Sequence, residues 1–168
     1  RPQCEAIAAA CPKPCTVVQG GATRADSVHN GLAAAKGQLV AIHDAARPFA
    51  SEEVITQVLQ AAAKTGAAAP AVPVKDTIKV ADKDGKVVTT PDRATLYAVQ
   101  TPQVFQANIL KAALQSAIQA GADITDDCSA VERLGKEVYL TTGSRENIKI
   151  TTPVDLAIAE AILQRRGE

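Results

Sequence analysis

Short apolar runs alternate with segments of helical period along most of this chain. Residues 15–19 read as a strand that Gly20-Gly21 cuts off, and Val28, Leu32 and Ala33 then recur at helical spacing over 26–35. Residues 38–42 form a second strand-like run. Ser51 is a good helix N-cap with Glu52 and Glu53 in the first turn, so the next helix is predicted from there to about residue 64, with Gly66 past its end. A third strand, 67–74, carries Pro70 and Pro73, which predicts a bend or incomplete pairing. Residues 97–101 return to strand character. An amphipathic helix follows over 106–119 through Ile109, Leu110, Ala113, Leu114, Ala117 and Ile118, closed by Gly121. A short helix over 126–134, strands at 137–141 and 147–151, and a helix from Pro153 to about 165 complete the pattern. Strands alternating with helices predict an α/β fold: a mostly parallel Rossmann-like sheet flanked by helices.

Residues 76–92 break the alternation. Thr77-Ile-Lys-Val80 and Lys86-Val-Val-Thr89 flank Asp82-Lys-Asp-Gly85, a turn cluster with glycine where a positive φ is needed. The reading is one domain over 1–168 with an inserted β-hairpin arm at 76–92. Polar on both faces, the arm has little of its own to bury and is expected to lean on another subunit or to cover a site.

At 168 residues the chain can bury a core without staples. Its formal net charge is zero, which argues against nucleic acid or an anionic membrane as the main partner, so any anion site must be local. Aromatic residues are only 2%, too few for a base-stacking platform. No apolar run approaches the ~20 residues of a membrane span and no charged-then-apolar leader opens the sequence; the expectation is a soluble cytoplasmic protein. Cys4, Cys11, Cys15 and Cys128 are expected as reduced thiols. Cys11-Pro-Lys-Pro-Cys15 invites a metal or redox reading, but its gap is not that of C-x-x-C and neither His29 nor His43 is near in sequence.

The chemistry gathers after the strands. Ile42-His43-Asp44-Ala45-Ala46-Arg47-Pro48-Phe49 ends an apolar run in an acid, two small residues and a cation. In open α/β sheets ligands collect beyond the carboxyl ends of strands, so Asp44 can meet a metal or ribose hydroxyl and Arg47 a phosphate; a capped loop with a surface ion pair is the alternative. The loops at Gly20 to Arg24, Lys75 to Thr77 and Thr101 to Gln103 are placed on the same rim. Arg47, Lys75 and Lys149, with hydroxyls at Ser27, Thr77, Thr101 and Thr125, suit phosphates and sugar hydroxyls. Arg24 and Arg93 also read as surface cations, His43 as a packed strand-end residue as much as a base, and Asp126-Asp127 as helix N-terminal charges as much as metal ligands.

These residues, in order, are similar to a known family. Gly20-Gly-Ala-Thr-Arg-Ala-Asp-Ser27, His43-Asp-Ala-Ala-Arg-Pro48, Val74-Lys-Asp-Thr-Ile-Lys79, Asp92-Arg93, Gln100-Thr-Pro-Gln103, Thr125-Asp126 and Asn147-Ile-Lys-Ile-Thr-Thr-Pro-Val-Asp-Leu156 resemble the 2-C-methyl-D-erythritol 4-phosphate cytidylyltransferases of the non-mevalonate isoprenoid pathway. The resemblance implies in-line attack by the acceptor's phosphate oxygen on the α-phosphate of CTP, with Mg2+ or another divalent cation and loss of pyrophosphate. By the same resemblance Gly21, Ala22, Ser27, Asp44 and Ala45 would line the nucleotide site, with Asp44 a possible metal ligand. Arg93 and Lys149 would hold the acceptor for attack, assisted by Arg47, Thr77, Thr101 and Thr125. It also implies a homodimer in which the arm reaches over its neighbour and lends Thr77 and Arg93. Family members begin with a glycine-rich A-A-G-x-G-x-R loop followed by P-K, which residues 1–14 do not carry, so a truncated or incompletely represented member is expected. The rival readings are a cytidylyltransferase for another polyol phosphate, such as ribitol 5-phosphate, and a non-catalytic binding or dimerisation module.

Overall fold

Local signals account for most of the helices in the computed structural model, which describes residues 2–167. Helix α1 (Pro2–Ala10) buries none of its side chains and was not expected. Helix α2 (Arg24–Ala34) starts on a capping box: the Thr23 hydroxyl accepts from the Asp26 N–H, and the Asp26 carboxylate accepts from the Thr23 N–H. Strand β1 (Leu39–Ile42) leads through the Asp44 loop to α3 (Glu52–Thr65), which Ser51 caps and Gly66 closes at φ 94°. That positive φ is one only glycine adopts without strain, as the sequence pattern required. Strand β2 (Ala67–Pro73), the hairpin β3 (Val80–Ala81) and β4 (Val87–Thr89), and a 3-10 turn (Arg93–Thr95) come next. Then follow β5 (Tyr97–Val99), β6 (Gln103–Gln106), α4 (Ala107–Gln119), α5 (Asp127–Arg133), β7 (Tyr139–Thr142) and α6 (Pro153–Arg166).

The α/β class is as expected, but the pairing is not. Strand β6 runs antiparallel to both β1 and β2, β5 is antiparallel to β2, and only β2 with β7 is parallel. The mostly parallel expectation missed β6 because its four residues abut α4 with no turn signal between them. Its apolar Val104 and Phe105 fall between the strand expected at 97–101 and the helix expected from 106, and belong to neither. β5 and β6 lie along the same edge of β2, which pairs with β6 at Ala67–Ala68 and with β5 from Ala71 on. Between them the chain bends at Gln100, Thr101 and Pro102, and Pro70, which has no N–H to give, faces this break, where its carbonyl accepts from the Gln100 N–H. Two further expected strands are absent. Residues 15–19 follow an irregular path, and 147–151 form a loop in which the Ile150 N–H donates to the Ala46 carbonyl.

Successive residues of β2 and β6 face opposite layers, as the two-residue period of a strand dictates. Ala67, Ala69 and Phe105 pack with Leu110, Ala113 and Leu114 of α4, with Val131 of α5 and with α2. Ala68 and Val104 pack on Val58 and Ala62 of α3. Burial on both faces explains why β2 is a continuous apolar run rather than an alternating one. A third, smaller cluster seats Ala159 and Ile162 of α6 on Phe49, directly after the Asp44 loop. Strands β3 and β4 pair as a hairpin whose turn is closed by Asp82, which accepts from the N–H groups of Asp84 and Lys86, with Gly85 at φ 83°; Val80, Val87 and Val88 are exposed, so the arm is less polar than expected. No helix among the described residues is long and apolar enough to cross a membrane.

Candidate active site

The carboxyl end of β1 delivers Asp44 into a cleft of about 240 Å³ walled by Arg24, Arg47, Thr101, Gln103, Thr125, Asp126 and Lys149. The Asp44 carboxylate lies 2.9 Å from the Lys149 ammonium and 3.7 Å from Arg47 Nε. Partial burial raises the Asp44 pKa, but Lys149, Arg47 and Arg24 outweigh it and hold the group below the ordinary carboxylate value. Burial works the other way on Arg47 and lowers its pKa despite Asp44. Its Nε is buried and has no hydrogen-bond acceptor among the described residues. An under-compensated guanidinium lining a cleft is an anion acceptor.

The loop carrying these charges is pinned by hydrogen bonds of fixed direction. The Asp44 N–H donates to Thr101 Oγ1 at 3.0 Å, and Thr101 Oγ1 lies 2.9 Å from His43 Nδ1. His43 Nε2 sits 3.0 Å from the Arg47 carbonyl, which can only accept, so Nε2 carries the hydrogen and the Thr101 hydroxyl donates to Nδ1. Both imidazole nitrogens are thereby used, and His43 serves as a loop clamp rather than as the base its sequence position allowed. Arg47 Nη1 donates to the Asn147 carbonyl at 2.7 Å, and Asn147 Nδ2 donates to the Thr101 carbonyl at 2.9 Å. Asn147 is fully buried, so the loop bearing Lys149 is fixed to the loop bearing Asp44.

A second clamp holds the opposite wall. Gln103 Nε2 donates to Asp126 Oδ2 at 2.7 Å, while Gln103 Oε1 accepts from the N–H groups of Asp127 and Cys128. Asp126 is the N-cap of α5, its Oδ1 accepting from the Ser129 N–H. Asp127 is fully buried and pairs at 2.6 Å with Arg24 from α2, whose pKa is raised chiefly by this bond. Asp126 therefore works as a helix cap and Gln103 partner, and Asp127 as the buried partner of Arg24.

Of the residues singled out in the sequence, Asp44, Arg47, Thr101, Thr125 and Lys149 line one cleft. Ser27 lines an adjoining apolar groove of about 560 Å³ between α2 and β1. Its Oγ accepts from the Gly21 N–H at 3.0 Å, which fixes the Gly21-Ala22 loop at the start of α2. Ala45 is exposed beside Asp44. Thr77 and Arg93 line neither space; Arg93 Nη1 donates to the Lys75 carbonyl at the base of the arm. Lys149 lies on a loop, not on the strand expected at 147–151. Sequence reasoning placed Arg24 and Gln103 in rim loops but gave Gln103 no role and also read Arg24 as a surface cation; their pairing with Asp127 and Asp126 shows only in the folded chain.

Fold and cleft define an α/β protein of the nucleotidyltransferase kind, with cations set around one carboxylate beyond the end of a strand. Comparison with known proteins gives the family. The chain belongs to the IspD family, 2-C-methyl-D-erythritol 4-phosphate cytidylyltransferase, whose sequence profile matches residues 1–165. It is 50% identical over 153 residues to the protein of that name from Desulforamulus reducens, an alignment covering 90% of this chain and 65% of that one. The chain therefore spans a little under two thirds of that relative's length. The crystal structure of the cytidylyltransferase from Thermus thermophilus superposes with a TM-score of 0.79 at 40% identity, covering 87% of this chain and 72% of the other. The 4-diphosphocytidyl-2C-methyl-D-erythritol synthase from Anaerococcus prevotii superposes with a TM-score of 0.89 at 35% identity, covering 97% and 76%.

Proposed function

We propose that this chain carries the acceptor half and part of the nucleotide half of a site that transfers a cytidylyl group from CTP to 2-C-methyl-D-erythritol 4-phosphate. The observation that carries this reading is the trio Asp44, Arg47 and Lys149 in one cleft, with the buried Arg47 Nε unsatisfied. In the reaction an acceptor phosphate oxygen forms a bond to the α-phosphorus. The bond from that phosphorus to the oxygen bridging the β-phosphate breaks, and its electron pair leaves with pyrophosphate. No covalent enzyme intermediate is needed, so the protein's contribution is positioning and charge stabilisation. Lys149, about half exposed, holds the acceptor phosphate, and Arg47 offers its Nε–H to the same group. Asp44 keeps both cations in place and faces the ribose. Thr101 and Thr125 donate to phosphate or sugar oxygens, and Gly21, Ala22, Ser27 and Ala45 frame the nucleoside along the α2 groove.

A divalent cation belongs to this reading. Among the described residues no three His, Cys, Asp or Glu side chains cluster. The Arg47 and Lys149 contacts both fall on Asp44 Oδ2, and one carboxylate plus substrate phosphates is a common way to hold Mg2+. When bound, the cation neutralises phosphate charge. The arm is proposed to dock on a second copy of the chain, which would cover Val80, Val87 and Val88 and carry Thr77 and Arg93 to the partner's cleft. A cytoplasmic setting goes with the reaction.

The test is pyrophosphate release from CTP with methylerythritol phosphate and with ribitol 5-phosphate, side by side. Faster release with the first acceptor supports the reading, and preference for ribitol phosphate overturns the acceptor assignment. Absence of both turnover and calorimetric CTP binding in a protein that still dimerises leaves only a binding module.

A further inference from the structure

Residues 144–150 carry Lys149 on a loop with no strand ladder to hold it, so its place is set by individual contacts. Two of them run straight to the Asp44 loop: Arg47 donates to the Asn147 carbonyl at 2.7 Å, and the Ile150 N–H donates to the Ala46 carbonyl at 2.8 Å. A third tie passes through Arg166, the last residue of α6. Its Nε and Nη2 both donate to Glu146 Oε2, at 3.1 and 2.9 Å, and Arg165 pairs with Oε1 of the same carboxylate. The Arg166 guanidinium carbon also lies 5.4 Å from the centroid of the Phe49 ring, and its Nη2 is 3.5 Å from the Phe49 carbonyl. Glu146 stands three residues before Lys149 and Phe49 two after Arg47, so one side chain touches both charged loops. Phe49, Glu146 and Arg166 do not themselves wall the cleft. We infer that Arg166 is a positioning residue for the acceptor phosphate: by gripping Glu146 and covering Phe49 it holds the Lys149 loop in register with the Asp44 loop.

Phe49 is 5% exposed and packs on Ala159, Ile162 and Leu163 of α6 and on Ile148 and Ile150. Such apolar contact is strong but has no direction, so alone it would let the two loops slip along α6. The bonds to Glu146 are directional and fix the offset. The planar guanidinium suits the task, because it can donate to a carboxylate from one edge while its face lies on an aromatic ring. The Arg166 and Glu146 side chains are 27% and 32% exposed, so water screens the pair, and its loss should loosen the loop rather than unfold the chain. A phosphate shared by Lys149 and Arg47 depends on their separation, and a loosened loop therefore appears as weaker acceptor binding. This inference rests on the proposed acceptor reading of the cleft.

The experiment uses the full chain as wild type, Arg166→Ala, Glu146→Ala and the double variant, in about 0.15 M salt, where distant charges are largely screened. Two quantities are read: calorimetric affinity for methylerythritol phosphate, and amide exchange at Ile150, with Leu114 in the buried part of α4 as reference. Arg166→Ala should bind the acceptor about three- to tenfold more weakly and Glu146→Ala about two- to fivefold, the scale of losing a part-exposed ion pair with or without the ring contact. Exchange at Ile150 should quicken in both while Leu114 is unchanged. The double variant should bind no more weakly than Arg166→Ala, because both changes remove one tie. Glu146→Ala is the decisive arm, since taking a negative charge from near a phosphate site tightens binding if only the field matters and weakens it if a tie is lost. Binding in Glu146→Ala equal to or tighter than wild type, losses that add in the double variant, or unchanged exchange at Ile150 would overturn the inference. Faster exchange at Leu114 would do the same, because it marks general destabilisation. A wild type that binds no acceptor overturns the acceptor reading and this inference with it, whereas variants that match an acceptor-binding wild type overturn this inference alone.

Discussion

Removing Arg24 while keeping Asp127 should be among the most damaging single changes near the cleft. Asp127 is fully buried; its Oδ2 has Arg24 as partner at 2.6 Å and its Oδ1 has no hydrogen-bond partner among the described residues. Arg24→Ala therefore leaves a carboxylate inside the protein with nothing bonded to its side chain. Breaking a fully enclosed ion pair from one side costs about 3–5 kcal/mol. The Arg24 side chain is 40% exposed, so water already screens part of this pair and can enter the space the arginine vacates. Discounting for that gives about 2–3 kcal/mol, or roughly 5–10 °C in melting temperature for a chain of this size. The assay is urea unfolding followed by circular dichroism, with Asp127→Asn added in the Arg24→Ala background. Removing the charge should recover more than half of the loss, because an amide is far cheaper to leave underbonded than a carboxylate. A loss below about 0.5 kcal/mol, or a double variant no more stable than Arg24→Ala, would refute the view that Arg24 compensates a buried charge.

Four other outcomes follow from the same geometry. Lys149→Ala should lower turnover by roughly 10²–10³-fold, the scale of losing one charge-stabilising donor, and Arg93→Ala, at a residue the docked arm would carry to a partner's cleft, should also depress it strongly, while Cys11→Ala leaves it unchanged; equal rates in a steady-state pyrophosphate assay would sink the site assignment. Asp44 has a lowered folded-state pKa, so its stabilising contribution is complete above the unfolded carboxylate value and lost as pH falls through the folded one. The difference in urea midpoint between wild type and Asp44→Asn should accordingly shrink on acidification, and a gap that widens would reverse the sign. Thr101→Val strips the acceptor from the Asp44 N–H and the donor from His43, and should cost about 1–3 kcal/mol in unfolding free energy. Gly143→Ala would set a Cβ 2.6 Å from Gln100 Oε1 and 3.0 Å from the Ala71 backbone, and should cost about 1–3 kcal/mol although its φ is not positive; a melting temperature equal to wild type would show that the wall can yield.

What the sequence revealed divides by range of interaction. Ser51, Gly66, Asp126 and Pro153 mark helix ends through bonds spanning a few residues, and each end lies within two residues of where those signals put it. The arm was equally legible, since the Asp82 to Gly85 turn needs nothing from the rest of the chain. Strand β6 was hidden because a strand of four residues has no signature apart from its neighbours, and those neighbours, β1 and β2, are distant in sequence. The apolar alternation of 147–151 looked like a strand for a different reason. Ile148 and Ile150 are held by Phe49 and α6 rather than by a ladder, so the pattern was real and the partner was not a sheet. In the cleft, Asp44, Arg47 and Lys149 were legible as chemistry, whereas the pairing of Arg24 with Asp127, 103 positions apart, belongs to tertiary structure alone.

The cleft's rigidity has a cause that the list of charged residues conceals. Gln100, Thr101, Gln103 and Asn147 are all less than 8% exposed, and leaving such groups unpaired inside a protein would cost about 1–3 kcal/mol each. Their donors are instead bonded across the bend between β5 and β6, Gln100 to Ser144, Thr101 to the Asp44 loop, Gln103 to the start of α5 and Asn147 to Thr101, while Asn147 Oδ1 has no partner among the described residues. A sheet that continued regularly through residues 100–102 would send alternate side chains into the two helical layers, where these amides would have no partners. The break in β2's edge therefore turns three polar side chains, Gln100, Thr101 and Gln103, toward the loops that carry Asp44, Asp126 and Lys149, and Asn147 reaches back from the last of these. The loops hold their charges at fixed separations because a polar spine in the sheet ties them together. It follows that cleft geometry should be more sensitive to Gln100→Leu, which has the volume but not the bonds, than to truncation of any exposed charge on the rim. Loss of amide-exchange protection at Ser144 and Asp44, together in that variant, is the signature expected, and retained protection at both would show that the loops hold themselves.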